Sequence, residues 1–118
     1  MKDSDFRYAA VNEVFCEALG QPAKDLIAKT DFDLFPAIVA QRFVERDQEV
    51  VRGRSAIRHE ETVDINGRVR TMLVIKAPVL DPNGTPTGLI GVGFDITDRK
   101  RIEQEHTRLA AALESAGE

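Results

Sequence analysis

One cysteine, Cys16, stands among 118 residues. That excludes an internal disulfide and fits a reducing compartment. No apolar run approaches the ~20 residues needed to span a bilayer, and no stretch reads as a secretory signal. The expected location is the cytoplasm, with no membrane partner for these residues. Basic residues are not in excess: 16 Lys and Arg face 20 Asp and Glu, for a net charge of -4. The single basic run, Arg99-Lys100-Arg101, reads as the solvated first turn of a helix. Without a basic stripe no nucleic-acid partner is expected. Catalytic signatures are missing too: there is no G-x-S-x-G, no phosphate-cradling glycine loop and no nucleophile with an evident base. Asp31 with Asp33, and Glu60 with Glu61, read as caps or solvated faces, so no catalysis is expected. The two histidines, His59 and His106, lie apart and make no metal site.

What is present is an ordinary globular composition, 42% hydrophobic and 31% charged, enough for one domain plus an appendage. The chain is organised around Leu89 to Thr97, Leu-Ile-Gly-Val-Gly-Phe-Asp-Ile-Thr. Ile90, Val92 and Phe94 alternate with Leu89, Gly91 and Gly93, the period of a strand. Glycine weakens a strand unless something approaches its backbone closely. Gly91 and Gly93 on one face therefore point to a packed helix or a small molecule there. A helical pattern follows without interruption to Ala116.

Earlier, Phe6 to Val11 is a short β-like run stopped by Asn12, an N-cap residue. Val14, Phe15, Ala18 and Leu19 recur at helical spacing and Gly20 follows as a cap. Pro22 opens a short helix to Lys29 that carries Leu26 and Ile27 inward. Thr30 to Pro36 is a compact segment with its own capping groups. Pro36 to Arg52 is the longest internal helix, with Ile38, Val39, Phe43, Val50 and Val51 on one face and Gly53 at its end. Strands take over from Ser55. Ala56 to Ile65 and Arg68 to Leu80 flank Asn66-Gly67, a hairpin turn. Asp81-Pro82-Asn83-Gly84 is a second turn, followed by the strand Leu89 to Asp95. Helices gathered on one face of an antiparallel sheet make an α+β fold. Met1 to Asp3 reads as the end of an earlier strand that begins before the sequence given.

Together these residues resemble a PAS domain, the bacterial sensory module. The resemblance is carried by Phe6-Arg7-Tyr8, Val11-Asn12, Phe15, Leu19-Gly20, Asp31 to Pro36, Gly67, Arg70, Lys76 to Val79, Asp81, Gly84, Gly88 to Val92 and Asp95-Ile96-Thr97. It covers residues 1–97, with 98–118 as a coiled-coil-like linker helix leading to an effector or a further PAS domain. It implies a five-stranded antiparallel sheet of order 2-1-5-4-3, its first strand truncated to Met1 to Asp3, and helices across one face. It also implies a regulatory module of a multidomain signalling protein such as a histidine kinase of a two-component system or a diguanylate cyclase. A small ligand or a partner would be sensed and the signal passed through Asp95, Ile96 and Thr97. Covalent flavin and histidine-ligated haem are disfavoured: Asp31 to Pro36 has no cysteine, and Pro36 to Arg52 has no histidine. Any cofactor is otherwise unknown.

The resemblance implies that Leu89, Gly91 and Gly93, with Met72, Val74 and Lys76, face the helices. Phe32, Phe35, Val39 and Phe43 would close a small cavity over them or fill it as a dry core. An inward lysine needs a partner or an anionic ligand unless it snorkels to solvent. Glu61 is its partner if the hairpin loop has two residues, Glu60 if the loop is one residue longer. The outer face would hold Leu73, Ile75, Ile90, Val92 and Phe94, an apolar surface that needs cover. Thr97 is the expected N-cap of the exit helix. Ile102, His106, Leu109, Leu113 and Ala116 are spaced 4, 3, 4, 3, a coiled-coil seam, unless the helix packs on its own sheet. A homodimer is expected, and the alternative to a sensor is a ligand-free dimerisation module.

Overall fold

The computed structural model describes residues 1–65 and 67–117. Its elements are β1 (Lys2–Asp3), α1 (Glu13–Leu19), α2 (Ala23–Leu26), α3 (Asp31–Leu34), α4 (Ala37–Gly53), β2 (Ile57–Ile65), β3 (Arg68–Leu80), β4 (Pro86–Asp95) and α5 (Thr97–Ala116). Among the described residues the sheet has four antiparallel strands in the order β1-β4-β3-β2. This is the expected order with one edge strand absent. Phe6 to Val11 does not form that strand. Phe6 turns to a positive φ of 59°, and only an isolated bridge joins Tyr8 to Lys2. The segment spends its backbone elsewhere: Tyr8 N donates to the Lys29 carbonyl at 2.9 Å, and Ala28 N to that of Tyr8 at 2.8 Å.

Local signals otherwise act as their chemistry dictates. Asn12 Oδ1 accepts from Phe15 N at 2.9 Å and starts α1. Asp33 Oδ2 takes the N–H and the hydroxyl of Thr30, at 2.9 and 3.1 Å, and so fixes α3. The expected helix from Pro22 to Lys29 shrinks to the single turn of α2, because Ala28 adopts a φ of 69°. Leu26 is buried as expected, while Ile27 is exposed. In α4 the inward stripe is Ala40, Phe43, Asp47 and Val50. Ile38, assigned to it from spacing, is 78% exposed. The helix takes in Gly53 and ends on Arg54 at a φ of 50°.

The β2–β3 hairpin pairs Ile65 with Arg68 and Glu61 with Met72, which is the shorter of the two loops considered. Of its turn, Asn66 lies outside the described residues. At the β3–β4 turn Asp81 Oδ1 accepts from Asn83 N and Thr85 N, both at 2.9 Å. Gly84 supplies the positive φ of 80°. Gly88 is required by close approach: a Cβ there would lie 2.3 Å from the Lys2 carbonyl oxygen. That contact is where β1 docks on β4.

Candidate functional site

Four charged side chains meet between the sheet and α4. Lys2 of β1 bonds Asp31 of α3 and, at 2.5 Å, Asp47 of α4. Asp47 also takes Lys76 of β3 at 2.7 Å, and the hydroxyl of Tyr8 donates to Asp31 at 2.6 Å. Asp31 and Asp47 are fully buried. Two ammonium groups thus balance two carboxylates away from water, the condition under which buried charge is tolerated. Burial first, and then the Asp31 carboxylate beside it, hold the Tyr8 phenol far above its ordinary range. The lysine predicted to point inward does so, but its partner is Asp47, neither Glu60 nor Glu61. Glu61 faces inward and pairs with His59 Nε2 at 3.2 Å. Lys2, Tyr8 and Asp47 carried no expectation from sequence, and Asp31, expected as a cap or part of a solvated face, is instead 1% exposed and paired with Lys2. Asp47 sits four residues after Phe43 and three before Val50, a spacing that could have revealed it on the inward stripe.

The other predicted pocket residues are brought together in part. Val74 lies opposite Gly93, Lys76 opposite Gly91, and Met72 opposite Glu61. Phe35 and Phe43 meet edge to face, 5.1 Å between centroids, and the Lys76 ammonium sits 5.8 Å from the Phe43 ring. Leu89 is buried and Val39 half-buried. Phe32 does not belong here, being 49% exposed. Gly91 and Gly93 are exposed as well, so the helices leave the far half of β4 open on this face. Among the described residues, only the side chains of Lys76 and Met72 come within 4 Å of a Cβ built on them.

The junction to α5 is built from one hydroxyl. Thr97 Oγ1 donates to Asp95 Oδ1 at 2.6 Å and accepts from Thr71 N at 2.9 Å. Asp95 Oδ1 also takes Thr97 N at 3.0 Å, and the Thr71 carbonyl takes Ile96 N at 2.9 Å. Both backbone polar groups of Thr71 on β3 are therefore committed to the start of α5. Thr97 is not the N-cap, as expected from sequence; Ile96 is, and Thr97 is the first helical residue. Its hydroxyl is spent on strand and carboxylate. These bonds hold the Asp95 carboxyl below its usual range, the Thr97 hydroxyl contributing most and the Thr97 N–H next.

On the opposite face Ile90, Val92 and Phe94 are 45%, 45% and 50% exposed, while Leu73 is buried and Ile75 half-buried. The helix α5 is pinned at its base, where Lys100 Nζ reaches Glu60 at 3.0 Å and Arg99 lies 4.0 Å from it. Beyond Lys100 every described residue is exposed, including Ile102, His106, Leu109 and Leu113. The helix does not fold back on its own sheet.

A family model described as the PAS fold matches residues 1–101. The chain is a PAS domain. Among its relatives is the methanogenesis regulatory histidine kinase FilI of Methanothrix harundinacea, 32% identical over 105 residues. That match covers 89% of this chain and 12% of the kinase. A diguanylate cyclase of Vibrio cholerae is 32% identical over 113 residues, covering 93% of this chain and 35% of the cyclase. This PAS domain is thus of the kind carried by signalling proteins several times its length. Among solved structures, VqmA of Vibrio cholera in complex with ligand and DNA superposes with a TM-score of 0.74 at 27% identity. The overlap is 82% of this chain and 45% of that one. With a DNA complex among the neighbours, the expected absence of a nucleic-acid partner is not carried over to the whole protein. Among the described residues no helix is long and apolar enough to cross a membrane.

Proposed function

We propose that this PAS domain is a cytoplasmic sensor that takes a small ligand or a partner on the helix-facing side of its sheet. The state of that surface passes through Asp95, Ile96 and Thr97 to α5, and α5 carries it to an effector in the same polypeptide. A histidine kinase or a diguanylate cyclase is the effector that the relatives support. The observation that carries this reading is the double engagement of Thr71. Met72 beside it and Val74 two residues further on both lie on the helix-facing side of β3, so a shift of that strand moves the foot of α5 directly. VqmA, solved with its ligand, supports a small molecule as the input. Transmission requires a ligand with different affinities for two positions of α5, since equal affinity shifts nothing.

The test is native mass spectrometry of the purified chain, followed by spin labels on β2 and on the α5 tip. A reproducible bound mass whose removal changes the label distance supports the sensor. A bound mass whose removal leaves the distance unchanged defeats the transmission step. The second reading, a ligand-free dimerisation module, is favoured by the exposed row Ile90, Val92 and Phe94 together with the bare seam of α5. A ligand-free dimer that gains nothing from a metabolite library would establish it instead.

A further inference from the structure

Between the middle of α4 and the edge strand β2 runs a groove of about 520 Å³, lined by Arg42, Glu45 and Arg46 from the helix and Glu60, Glu61 and Thr62 from the strand. Arg42 and Arg46 stand one helical turn apart, where like charges repel. Neither forms an ion pair among the described residues, whereas all three carboxylates are held. Glu45 accepts from Gln41 Nε2 at 3.0 Å, Glu60 from Lys100 at 3.0 Å, and Glu61 meets His59 Nε2 at 3.2 Å. Behind Glu61, on the same strand face, the His59 side chain is 8% exposed and its Nδ1 has no hydrogen-bond partner. Buried polar atoms are nearly always satisfied, so the strand face behind Glu61, next to the groove rather than in its lining, holds one unsatisfied ring nitrogen.

The lining carries two positive and three negative charges, a balance of -1. That balance disfavours a dianion, while two unengaged guanidinium forks disfavour a simple cation. What fits is a molecule with both charges on one small frame. A planar guanidinium binds carboxylate through two parallel hydrogen bonds, and oriented carboxylates receive an ammonium group.

We propose that this groove is a receptor site for a free α-amino acid, its carboxylate on Arg42 and Arg46 and its ammonium on the side of Glu45 and Glu61. The site lies apart from the cluster of Lys76 with Asp47 and stands independently of the transmission reading. Its position gives it a consequence, because Glu60 is both a lip of the groove and the anchor of Lys100 on α5.

The test is a two-dimensional NMR titration of the isotope-labelled chain with pools of the standard L-amino acids, with succinate and putrescine as single-sign controls. At least one amino acid should give saturable shifts at residues 42–46 and 60–62, with either control weaker by about tenfold, the worth of one charge-assisted contact. An R42A/R46A variant with an otherwise native spectrum should lose that binding by a similar factor. The proposal is overturned by silence from every pool, by an equal response to succinate or putrescine, or by binding that survives in the double variant.

Discussion

Asp47 is the residue on which the interior is most dependent. It holds Lys2 and Lys76 at once, so Asp47→Ala strands two ammonium groups beside a single remaining carboxylate, Asp31. Uncompensated buried charge of this kind costs about 3–5 kcal/mol, and urea denaturation should show a loss of that order. Lys76→Met should cost clearly less, because Asp47 keeps Lys2 and methionine packs against Phe43 in place of the lysine stem. Tyr8 gives a second expectation. It is the single tyrosine, and its pKa is raised in the folded state. A group so shifted stabilises the fold fully below its unfolded pKa, about 10, and loses that contribution as pH rises toward the folded value. Phenolate absorbance should therefore appear in alkali together with unfolding, not ahead of it. Sequence showed one member of this cluster. A lysine in the inward row of a strand is anomalous on its face, and Lys76 was found that way. Pairing register, readable from a hairpin, points only to partners on the neighbouring strand. Asp47 was hidden in Glu45-Arg46-Asp47-Gln48-Glu49, where composition reads as a solvated surface and only helical phase sets the one inward residue apart.

At the scale of elements the decisive unit is the joint between β3, β4 and α5. Thr97→Val removes the hydroxyl that serves Asp95 and Thr71 together, leaving a strand N–H without its acceptor. The expected cost is about 1 kcal/mol, and the sharper readout is faster hydrogen exchange at Thr71 and along the first turn of α5. Thr97→Ser should restore both. The Asp95 carboxyl is held below its usual range, so its contribution is complete above the unfolded pKa, near 4, and is lost as pH falls through the folded value. The protection factor at the joint should be flat from neutral pH down to about 5 and should fall only in stronger acid. Turn chemistry made most of these elements readable in advance: Asn12 at α1, Asp81 and Gly84 at the second hairpin, and the alternation of β4. Phe6 to Val11 and the helix after Pro22 failed for different reasons. The positive φ at Phe6 belongs to a tight turn in which Phe6 N donates to the Asp3 carbonyl and the Asp3 side chain accepts from Asp5 N and Arg7 N. The positive φ at Ala28 goes with the backbone pairing of Tyr8 to Ala28 and Lys29, a long-range contact that leaves no local signature.

For the whole molecule, the fold class and strand order were legible through the family resemblance, and the missing edge strand followed from where Tyr8 spends its hydrogen bonds. What sequence left open, whether α5 lies on its own sheet, the structure settles: past Lys100 the helix stands free. A free amphipathic helix beside an apolar sheet face is expected to find a second copy. Sedimentation should show dimers at high concentration, and an L109E/L113E variant should shift the equilibrium toward monomer while keeping the monomer's thermal midpoint. If the variant remains dimeric, the sheet face around Val92 is the contact and the helix takes no part in it.

The chain holds its charges in two different places, and salt should tell them apart. The cluster of Lys2, Asp31, Asp47 and Lys76 is shut away from ions, while the pairs from Glu60 to Lys100 and Arg99 stand in solvent that screens them within about 3 Å at molar ionic strength. Raising salt should leave the melting temperature nearly still and free the foot of α5, as read by the mobility of a spin label on the helix. Ionic strength then works as a clutch, disengaging the helix while the body of the domain stays assembled.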